Sequence, residues 1–407
     1  MHLFNPDNDL ALANFTPNYT PPSSAVKMAE DLALLPLWFA PNGSKIVAKK
    51  NDENSEFSEK MNSLFQLDST IVSFSEIENF ANEKIVLWGW NPSLRKKLLD
   101  ANVSEQNLPT LDELKRLRDY SGRQHAVRML REMKNESDFS ETLCGESHYF
   151  TALDDVLRFL ASQSGNSVLK MPNSGSGKGL VWILGETTDK QIDWVRRVLK
   201  TQKGIVAEPV LKKTRDFAME FYMENGKAEF VGYSLFRATS SGAYVGNELM
   251  CDAEIEKEVA KFVPAYVFHQ IRNLLQQKLP LFFPFYNGYV GVDMMIGETP
   301  SGFCVQPCVE INMRMTMGLV AHKFRERFVA QGISGKFVVD FFKKQNEALA
   351  FHQKTQRDFP LVIENGKIKS GYLALTPINE KTNYVAYVKI AGDCGSYFGY
   401  AQQPSPQ

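Results

Sequence analysis

Residues 291–314 read GVDMMIGETPSGFCVQPCVEINMR, two apolar strand-like runs around a turn that contains glycine and proline. Side chains alternate between the two faces of a strand, so Glu310 and Asn312 share one face and Ile311 takes the other. Asp293 stands in the middle of the first run, among valine, methionine and isoleucine. An unpaired carboxylate is costly in such surroundings, because burial removes its water. Acids inside apolar strands therefore favour a functional site over plain core.

The polar residues of these two strands are of the kind that bind a hard cation. If the strands are neighbours in one sheet, Asp293, Glu310 and Asn312 converge as oxygen ligands. Mg²⁺ typically uses a couple of carboxylates together with phosphate oxygens and water. Arg314, two residues further along the same face, is placed to meet a phosphate or a developing negative charge. The alternative is an Asp–Arg ion pair that closes a strand end.

A second stretch, residues 168–180, reads VLKMPNSGSGKGL: a strand that presents Lys170, a loop of small residues, and a returning strand. Glycines let backbone N–H groups approach an anion closely, and two lysines supply positive charge, so phosphate is the natural guest. The stretch is not a Walker A loop, because Pro172 and Gly179 replace the Gly and Ser/Thr of that motif. A flexible surface hairpin with a solvated lysine is the alternative.

A third candidate occupies residues 206–220. An apolar strand ends at Glu208, a connection through Pro209 follows, and a second strand opens with Arg215 and Asp216. Such a connection can offer backbone groups to a flat base, while a carboxylate accepts hydrogen bonds from ribose hydroxyls. A structural hinge between domains is the favoured alternative when this stretch is taken alone.

A fourth candidate is the strand that delivers Arg237 into a loop of glycine, serine and other small residues, 238–247. The loop could close over a substrate, with Arg237 holding an anionic group. The same residues are equally compatible with an ordinary surface loop.

The composition of the 407 residues excludes several classes of protein. A total of 46 Lys and Arg against 47 Asp and Glu leaves a net charge of −1, too little positive charge to bind a nucleic acid. The longest apolar stretch, 279–292, is short and broken by prolines, so no membrane span is predicted. Five scattered cysteines predict thiols rather than a disulfide framework, and no signal peptide is recognised. We expect a cytoplasmic globular protein with reduced cysteines.

Changes in pattern along the chain predict several packed units. Strand–turn–helix alternation in the first third, as at 84–100, indicates an open α/β domain. Two α+β units and an extension follow it. The predicted domains are 1–120 (the substrate-side α/β domain), 121–204 (the lid-side subdomain), 205–345 (the larger subdomain) and 346–407 (an extension with a hairpin).

Local signals fix several turns. Asn225-Gly226 and Asn365-Gly366 each predict a tight β-hairpin, because both central residues of the preferred turn need positive φ. Pro264 is expected to interrupt the helical pattern that begins at Glu254. The polar stretch 49–60 fits an exposed loop or a helix.

Taken in order, these stretches resemble the pattern of the ATP-grasp superfamily over roughly residues 120–330. The resemblance is carried by Lys170 with its glycine-rich loop, Glu208 with Asp216 downstream, Asp293, and the Glu310–Asn312 strand with Arg314. It implies an α/β and α+β protein with an N-terminal open α/β (pre-ATP-grasp) domain, a small lid subdomain and a larger α+β subdomain. Met313 departs from the proline usual in the family, and Asp216 is shorter than the usual glutamate.

The resemblance also implies a role for each matched residue. Mg²⁺, with Mn²⁺ as a substitute, would be bound by Asp293, Glu310 and Asn312. Charge on the reacting groups would be offset by Arg314, Arg237 and Lys178. The residues expected to contact ATP are Arg123, Lys170, Ser174, Gly175, Ser176, Gly177, Lys178, Gly179, Glu208, Val210, Leu211 and Asp216.

The activity implied by this resemblance is that of an ATP- and Mg²⁺-dependent ligase. A substrate carboxylate would be activated as an acylphosphate, and an amine or a thiol would then displace phosphate. The alternatives are a small-molecule kinase on the same scaffold and a non-catalytic nucleotide-binding protein. The expected partners are a small acid and an amine, with a homodimer as a possible assembly.

Overall fold

The computed structural model of the protein describes residues 1–80, 82–136, 138–175, 179–239 and 242–391. Three β-sheets organise these residues. Ser176, Gly177 and Lys178 of the predicted phosphate loop lie outside the described residues. No helix within the described ranges is long and apolar enough to cross a bilayer.

The first sheet is parallel and belongs to the N-terminal part of the chain. Its strands are β1 (His2–Leu3), β2 (Lys45–Val47), β3 (Thr70–Val72) and β4 (Val86–Leu87), in the order β3-β2-β1-β4. Its helices are α1 (Asn8–Asn14), α2 (Ser23–Asp31), α3 (Asp52–Phe65), α4 (Pro92–Asp100) and α5 (Leu111–Tyr120). Asn5 Nδ2 donates to the carbonyl of Gly89 at 2.8 Å, so the loops that leave β1 and β4 lie side by side. In open parallel sheets this carboxyl edge is the one that faces a ligand.

The second sheet is small and antiparallel. Helix α6 (Arg123–Glu136) precedes it in the chain. Its strands are β5 (His148–Phe150), β6 (Ser167–Lys170), β7 (Leu180–Ile183) and β8 (Ile205–Pro209), in the order β5-β8-β6-β7. Helices α7 (Leu153–Ser162) and α8 (Asp189–Gln202) cover it. We call this unit the lid.

The third sheet has nine strands, in the order β13-β12-β9-β10-β11-β14-β17-β16-β15 along the sheet. These strands are β9 (Lys212–Glu224), β10 (Lys227–Ala238), β11 (Tyr244–Leu249), β12 (Gly288–Thr299), β13 (Gly302–Asn312), β14 (Gly335–Phe341), β15 (Val362–Glu364), β16 (Lys367–Ala374) and β17 (Tyr384–Ile390). The helices of this region are α9 (Asp252–Val259), α10 (Ala265–Phe282), α11 (Met317–Phe328) and α12 (Glu347–Asp358).

Alternation along β9 separates a core face of the large sheet from a second face. Phe217, Met219 and Phe221 are fully buried in the core that includes α10, and Phe217 stacks on Phe268 of that helix with ring centroids 5.0 Å apart. Ala218 and Glu220 point the other way, because successive strand residues face opposite sides. Apolar residues of β12 continue the core: Val290, Val292, Met294 and Ile296. The polar residues of both strands are left for the second face.

The predicted fold class is confirmed, because an open parallel sheet, a small antiparallel lid and a larger antiparallel sheet with helices are all present. Both Asn-Gly hairpins form, and Asn225 and Asn365 adopt positive φ of 51° and 52°. The helical pattern breaks at Pro264, which precedes α10. Residues 52–65 are helical as α3.

The domain boundaries remain a prediction, and two observations bear on them. Helix α6 lies in the segment predicted for the lid, yet its apolar face is part of the core of the large sheet: Ala126, Met129, Leu130 and Met133. Strands β14 to β17 span the predicted boundary at residue 345 and belong to one sheet. Strands β15, β16 and β17 of the predicted extension therefore lie in the same sheet as β9 to β14.

The expectation that the cysteines are all thiols is wrong for one pair. Cys144 and Cys304 form a disulfide across 160 residues of chain, with Cα atoms 5.7 Å apart. The segment before β5 runs beside β13, and the N–H of Cys144 donates to the carbonyl of Val305 at 2.8 Å. Spacing in the sequence does not reveal this pairing, because only the packing of the two segments brings the sulfurs together. Among the described residues, Cys251 and Cys308 are free.

Candidate active site

A cavity of about 470 Å³ lies where the parallel sheet, the lid and the large sheet meet. The chain from the end of β1 into the first turn of α1, here called the N-terminal loop, contributes Asp7 and Asp9, and the lid contributes Gly175. The second face of the large sheet forms the floor. The far wall comes from α2, β14 and β17: Ser24, Met28, Asp340, Phe341 and Tyr384. A concave site walled by several units is typical of a ligand pocket.

The register of the large sheet places the predicted metal ligands in two adjacent rows. Asp293 of β12 pairs with Glu310 of β13 on one side and with Ala218 of β9 on the other. In the next row, Gly291 pairs with Asn312 and with Glu220. Paired residues share a face, so the two strands are neighbours and their polar residues converge as the sequence predicts.

The three predicted ligands form one connected cluster. Asn312 Nδ2 donates to Asp293 Oδ2 at 3.0 Å, and Arg123 Nη2 donates to Glu310 Oε1 at 2.7 Å. Burial raises the pKa of Asp293 well above its ordinary value, and the nearby Glu310 and Glu220 raise it further. The Asn312 hydrogen bond and the charge of Arg314 only partly offset these effects, and a divalent cation would supply further positive charge.

The cluster is mixed in ligand type. Among the described residues, no group of three His, Cys, Asp or Glu side chains lies together as a metal site would require. Asp293 and Glu310 supply two carboxylates, and the amide oxygen of Asn312 would be the third donor. Two carboxylates with an amide leave room for water and phosphate oxygens, which suits Mg²⁺ better than a metal that needs a closed cage of protein ligands.

Arg314 is held by the N-terminal loop. Its Nε and Nη2 donate to the two carboxylate oxygens of Asp9 at 2.7 and 2.6 Å, and Nη2 also donates to Asn312 Oδ1 at 3.0 Å. Burial disfavours the charge, but Asp9 and then Glu310 and Asp293 raise the pKa of Arg314 above its ordinary value. The Asp–Arg ion pair considered as an alternative exists, and its acid is Asp9. Arg314 thus keeps its charge beside the cluster.

Arg123, at the start of α6, links the lid to the Asp293–Glu310–Asn312 cluster. Its Nη1 donates to the carbonyl of Met171 at 2.6 Å and to Ser174 Oγ at 2.7 Å. Its Nη2 donates to Glu310, so one guanidinium connects the loop at Ser174 with the cluster. Gly175 lies so close to the N-terminal loop that a Cβ there would approach Asp9 Cβ to 2.8 Å.

Lys170 and Glu208 form a buried ion pair across the lid strands. Lys170 Nζ donates to Glu208 Oε2 at 2.7 Å, and Ser147 Oγ donates to Oε1 at 2.9 Å. Burial raises the pKa of Cys308, and Asp293, Glu208 and Lys170 all act on that thiol. Cys308 thus lies within electrostatic range of the Lys170–Glu208 pair and of the Asp293–Glu310 cluster.

Several predicted residues are not brought to the cavity wall. Asp216 Oδ2 accepts from Lys213 Nζ at 2.6 Å on the cleft face of β9, beyond the lining residues. Arg237 alternates away from the cavity, which its neighbours Phe236 and Ala238 line, and pairs with Glu248 of β11. The remaining residues of the predicted nucleotide contacts lie in the connections: Gly179, Val210 and Leu211.

Two cavity acids that the sequence analysis did not select, Asp9 and Glu220, have side-chain partners there. Asp9 has no signal in the residues near it, because its pairing with Arg314 joins residues 305 apart in the chain. Glu220 is the last residue of the stretch 206–220, in which only Glu208 and Asp216 were predicted to be functional acids. Like Asp293, it interrupts an apolar strand. The alternation that singled out Glu310 and Asn312 applies to Glu220 as well.

Comparisons with known proteins give structural likenesses only. No family model and no curated protein matches the chain. The N5-carboxyaminoimidazole synthetase from Staphylococcus aureus, complexed with ADP, matches at 13% identity, 87% of this chain, 94% of the other and a TM-score of 0.48. An ADP complex of N5-carboxyaminoimidazole ribonucleotide synthetase is 12% identical, with 96% of this chain and 91% of the other covered and a TM-score of 0.49. A biotin carboxylase from Campylobacter jejuni, in a β,γ-ATP complex, is 10% identical, with 86% of this chain and 87% of the other covered and a TM-score of 0.49.

Proposed function

We propose that the protein is an ATP- and Mg²⁺-dependent ligase of the ATP-grasp type that activates a carboxylate as an acylphosphate for attack by an amine or a thiol. One observation carries the proposal. The Asp293, Glu310 and Asn312 cluster, the Arg314 guanidinium and the lid loop converge on a single cavity that the N-terminal loop closes. Positioning and charge stabilisation are the main requirements of phosphoryl transfer.

Nucleotide binding is assigned to the cleft between the lid and the large sheet. Lys170 and the loop from Ser174 to Gly179 would hold the phosphates, and Arg123 would add a second basic contact. The connection from Glu208 to Leu211 would face adenine, and Asp216 would accept from the ribose. Backbone N–H groups of a glycine loop can approach phosphate oxygens closely, which supports the lid assignment.

The metal fits the cluster because the donors are hard oxygens and the site is short of positive charge. When bound, Mg²⁺ would neutralise charge on the β- and γ-phosphates. Asp293 and Glu310 would hold it by their carboxylates and Asn312 by its amide oxygen. Arg314, fixed by Asp9, would offset negative charge on the transferring phosphoryl group and on the acylphosphate.

The chemistry needs two steps. An oxygen of the substrate carboxylate attacks the γ-phosphorus and ADP leaves with the electron pair of the broken P–O bond. The lone pair of the amine then attacks the acyl carbon. Phosphate leaves with the C–O pair and takes up the proton that the nitrogen loses as the amide forms. The lid and the N-terminal loop exclude water, which protects the acylphosphate from hydrolysis.

A two-dimensional substrate screen tests the proposal. ADP release would be measured with Mg²⁺ over a panel of small acids, each with and without a panel of amines and thiols. A ligase requires an acid and an acceptor together. A stable phosphorylated product without an acceptor would establish the kinase instead, and nucleotide binding without turnover over the whole panel would establish the non-catalytic protein.

The cellular setting follows from the substrates. ATP and Mg²⁺ are supplied in the cytoplasm, which is where we place the protein. Small-molecule acids and amines are its proposed partners. A homodimer remains a prediction, and a sedimentation measurement of molar mass would test it.

A further inference from the structure

Glu220 is a buried acid with one oxygen left over. Its side chain is 1% exposed, and its Oε1 accepts from Thr316 Oγ1 at 2.7 Å. Its Oε2 is buried and has no hydrogen-bond partner in the described part of the chain. Glu220 also lines the cavity, so the unpartnered oxygen belongs to a group at the cavity wall. A buried carboxylate oxygen without a donor is costly, which makes a missing ligand the natural explanation.

Two glycines, which have no side chain, make room for the Glu220 carboxylate. A Cβ at Gly291 would lie 2.8 Å from Glu220 Oε2, and a Cβ at Gly318 would lie 2.6 Å from Oε1. Thr316 Oγ1 accepts a hydrogen bond from the N–H of Leu319 and donates its single hydroxyl proton to Glu220 Oε1. That proton is therefore not available to Oε2. The first turn of α11 thus orients the carboxylate, and Oε2 is the atom that remains for a ligand.

The charge of the cavity indicates what that ligand is. Its described lining residues include a single basic side chain, Arg314, and that guanidinium is already bound by Asp9. The acids that line the cavity are Asp7, Asp9, Glu220, Asp293, Glu310 and Asp340. A pocket with this excess of carboxylates favours cations. The metal cluster accounts for one cation, and Glu220 lies outside that cluster.

Position relates Glu220 to the reaction centre. It lies in the row of Gly291 and Asn312, two strands away from Asn312, and strands are spaced by about 4.8 Å, which gives a separation of roughly 10 Å. A ligand bound between Glu220 and the cluster would therefore be within reach of an acyl group whose phosphate lies at the metal.

We propose that Glu220 binds the ammonium group of the acceptor substrate, so that the acceptor is a primary amine that enters as a cation rather than a thiol. This inference rests on the proposed ligase function and names its second substrate class. An ammonium group would donate to Oε2 and satisfy the unpartnered oxygen. One N–H proton must leave before the nitrogen lone pair can attack, and Oε2 is placed to accept it. The carboxyl would then be neutral while the C–N bond forms and phosphate leaves.

The titration of Glu220 fits this role. Burial raises its pKa to about 7, against which the Thr316 hydrogen bond and Arg314 act in the opposite direction. A base whose pKa lies near neutral pH can both take and return a proton. The other charged or titratable groups that face it are Asp293 of β12 and Tyr244 of β11.

The experiment compares Glu220→Gln with Glu224→Gln, the same change at the exposed end of the same strand. Binding of n-propylammonium and of the neutral propionamide would be measured by calorimetry on the full chain. We expect Glu220→Gln to weaken n-propylammonium binding roughly 10- to 100-fold, the loss typical of a hydrogen bond to a charged group, while Glu224→Gln leaves it unchanged. Equal n-propylammonium affinity in wild type and Glu220→Gln would overturn the inference.

A kinetic arm separates this inference from the ligase proposal. With an acid that supports ADP release, the rate with methylammonium would be divided by the rate with hydroxylamine, which is neutral at neutral pH. We expect that ratio to fall about 10- to 100-fold in Glu220→Gln. An unchanged ratio contradicts the role of Glu220 and leaves the ligase intact, whereas absence of acid-dependent ADP release from wild type contradicts the ligase. Glu220→Asp, which keeps the charge, serves as the second variant if the amide form fails to fold.

Discussion

At the residue scale, the site is built from acids whose charges are only partly balanced. Arg314 is shared between Asp9 and Asn312, and Arg123 between Glu310 and the lid loop. Asp293 receives one hydrogen bond, from Asn312, and its pKa stays high. Removing a ligand from this group changes the charge of a half-open cleft more than it changes packing.

Asn312→Ala should leave the fold intact and lower Mg²⁺-dependent ATP turnover by about 10²–10³, the effect of removing one charge-stabilising group. Glu310→Gln keeps the shape, removes one charge and should weaken the response to Mg²⁺. Asp293→Asn should behave similarly. Turnover and melting temperature would be measured on all three variants. Normal turnover in every variant would contradict the metal assignment, whereas a loss of stability alone would indicate a purely structural cluster.

Glu220→Gln should stabilise the protein, and the gain should grow with pH. The carboxyl has a pKa of about 7 in the folded protein and an ordinary value of 4.5, so folding favours its protonated form. Wild type therefore loses stability as pH rises from about 4.5 to 7, up to about 3 kcal/mol, and the amide variant does not. Urea unfolding of both proteins across this range measures the difference. A gain that is independent of pH would contradict the raised pKa, and Glu224→Gln is the control.

At the scale of elements, strands β9, β12 and β13 and the first turn of α11 act together. The strands present polar residues in register, and the turn supplies Thr316 to orient Glu220. Gly291 and Gly318 admit the carboxylate between sheet and helix. The geometry of the site therefore depends on how the first turn of α11 packs against the large sheet.

Gly318→Ala should destabilise the protein, although alanine favours a helix by about 1 kcal/mol over glycine. Its Cβ would lie 2.6 Å from Glu220 Oε1 and would also collide with Ser234 Oγ, both of which are buried. We expect a lower melting temperature together with weaker amine binding. Gly165→Ala, where a Cβ meets no atom within 4 Å, is the control. A higher melting temperature for Gly318→Ala would show that the helix start tolerates the methyl group.

The lid depends on the Lys170–Glu208 pair for stability as well as for its proposed contact with phosphate. Lys170→Met alone leaves Glu208 buried without its partner and should cost about 3–5 kcal/mol of unfolding free energy. Adding Glu208→Gln should recover most of that loss, because the remaining charge is removed. Mg·ATP affinity, measured by calorimetry, should stay low in the double variant. Wild-type affinity in the double variant would restrict Lys170 to a structural role.

At the scale of the whole molecule, three units meet around one cavity. The N-terminal unit and the large sheet share a hydrophobic core, in which Trp38 packs against Phe324 and Phe328, and individual side chains add links around the cavity. Arg123 bridges the lid loop and the cluster, and Arg314 bridges the large sheet and the N-terminal loop. The Cys144–Cys304 disulfide fastens the segment before the lid to β13. These three links have in common that each joins segments far apart in sequence.

Replacing both Cys144 and Cys304 by serine should lower the free energy of unfolding by about 2–5 kcal/mol, since the cross-link restricts the unfolded chain. Denaturant unfolding with and without a reductant measures this, and thiol counting by mass spectrometry reports the bond itself. Cys251→Ser is the matched control, because Cys251 is free. If the reductant leaves wild type unchanged and the double variant is as stable, the disulfide does not form in solution.

The sequence was sufficient wherever the signal is local. Alternation placed Glu310 and Asn312 on one face, Asn-Gly pairs located both hairpins, and Pro264 located the helix break, because each depends on backbone preferences of neighbouring residues. The order of the motifs along the chain also indicated the three-unit fold. These inferences need no knowledge of how distant segments pack.

Tertiary structure alone decided the remainder. The partner of Arg314, the disulfide, the packing of α6 on the large sheet and the direction of Arg237 all depend on contacts between segments remote in sequence. Glu220 is the clearest case. In the sequence it looks like any acid in a strand. What distinguishes it is complete burial with one carboxylate oxygen unpaired, and that burial arises from the packing of β9, β12 and α11 around it. Desolvation is a property of the assembled protein. The sequence by itself determined the alternation that puts Glu310 and Asn312 on one strand face, and only packing decided which acids line the cavity and which of them has an unpartnered oxygen.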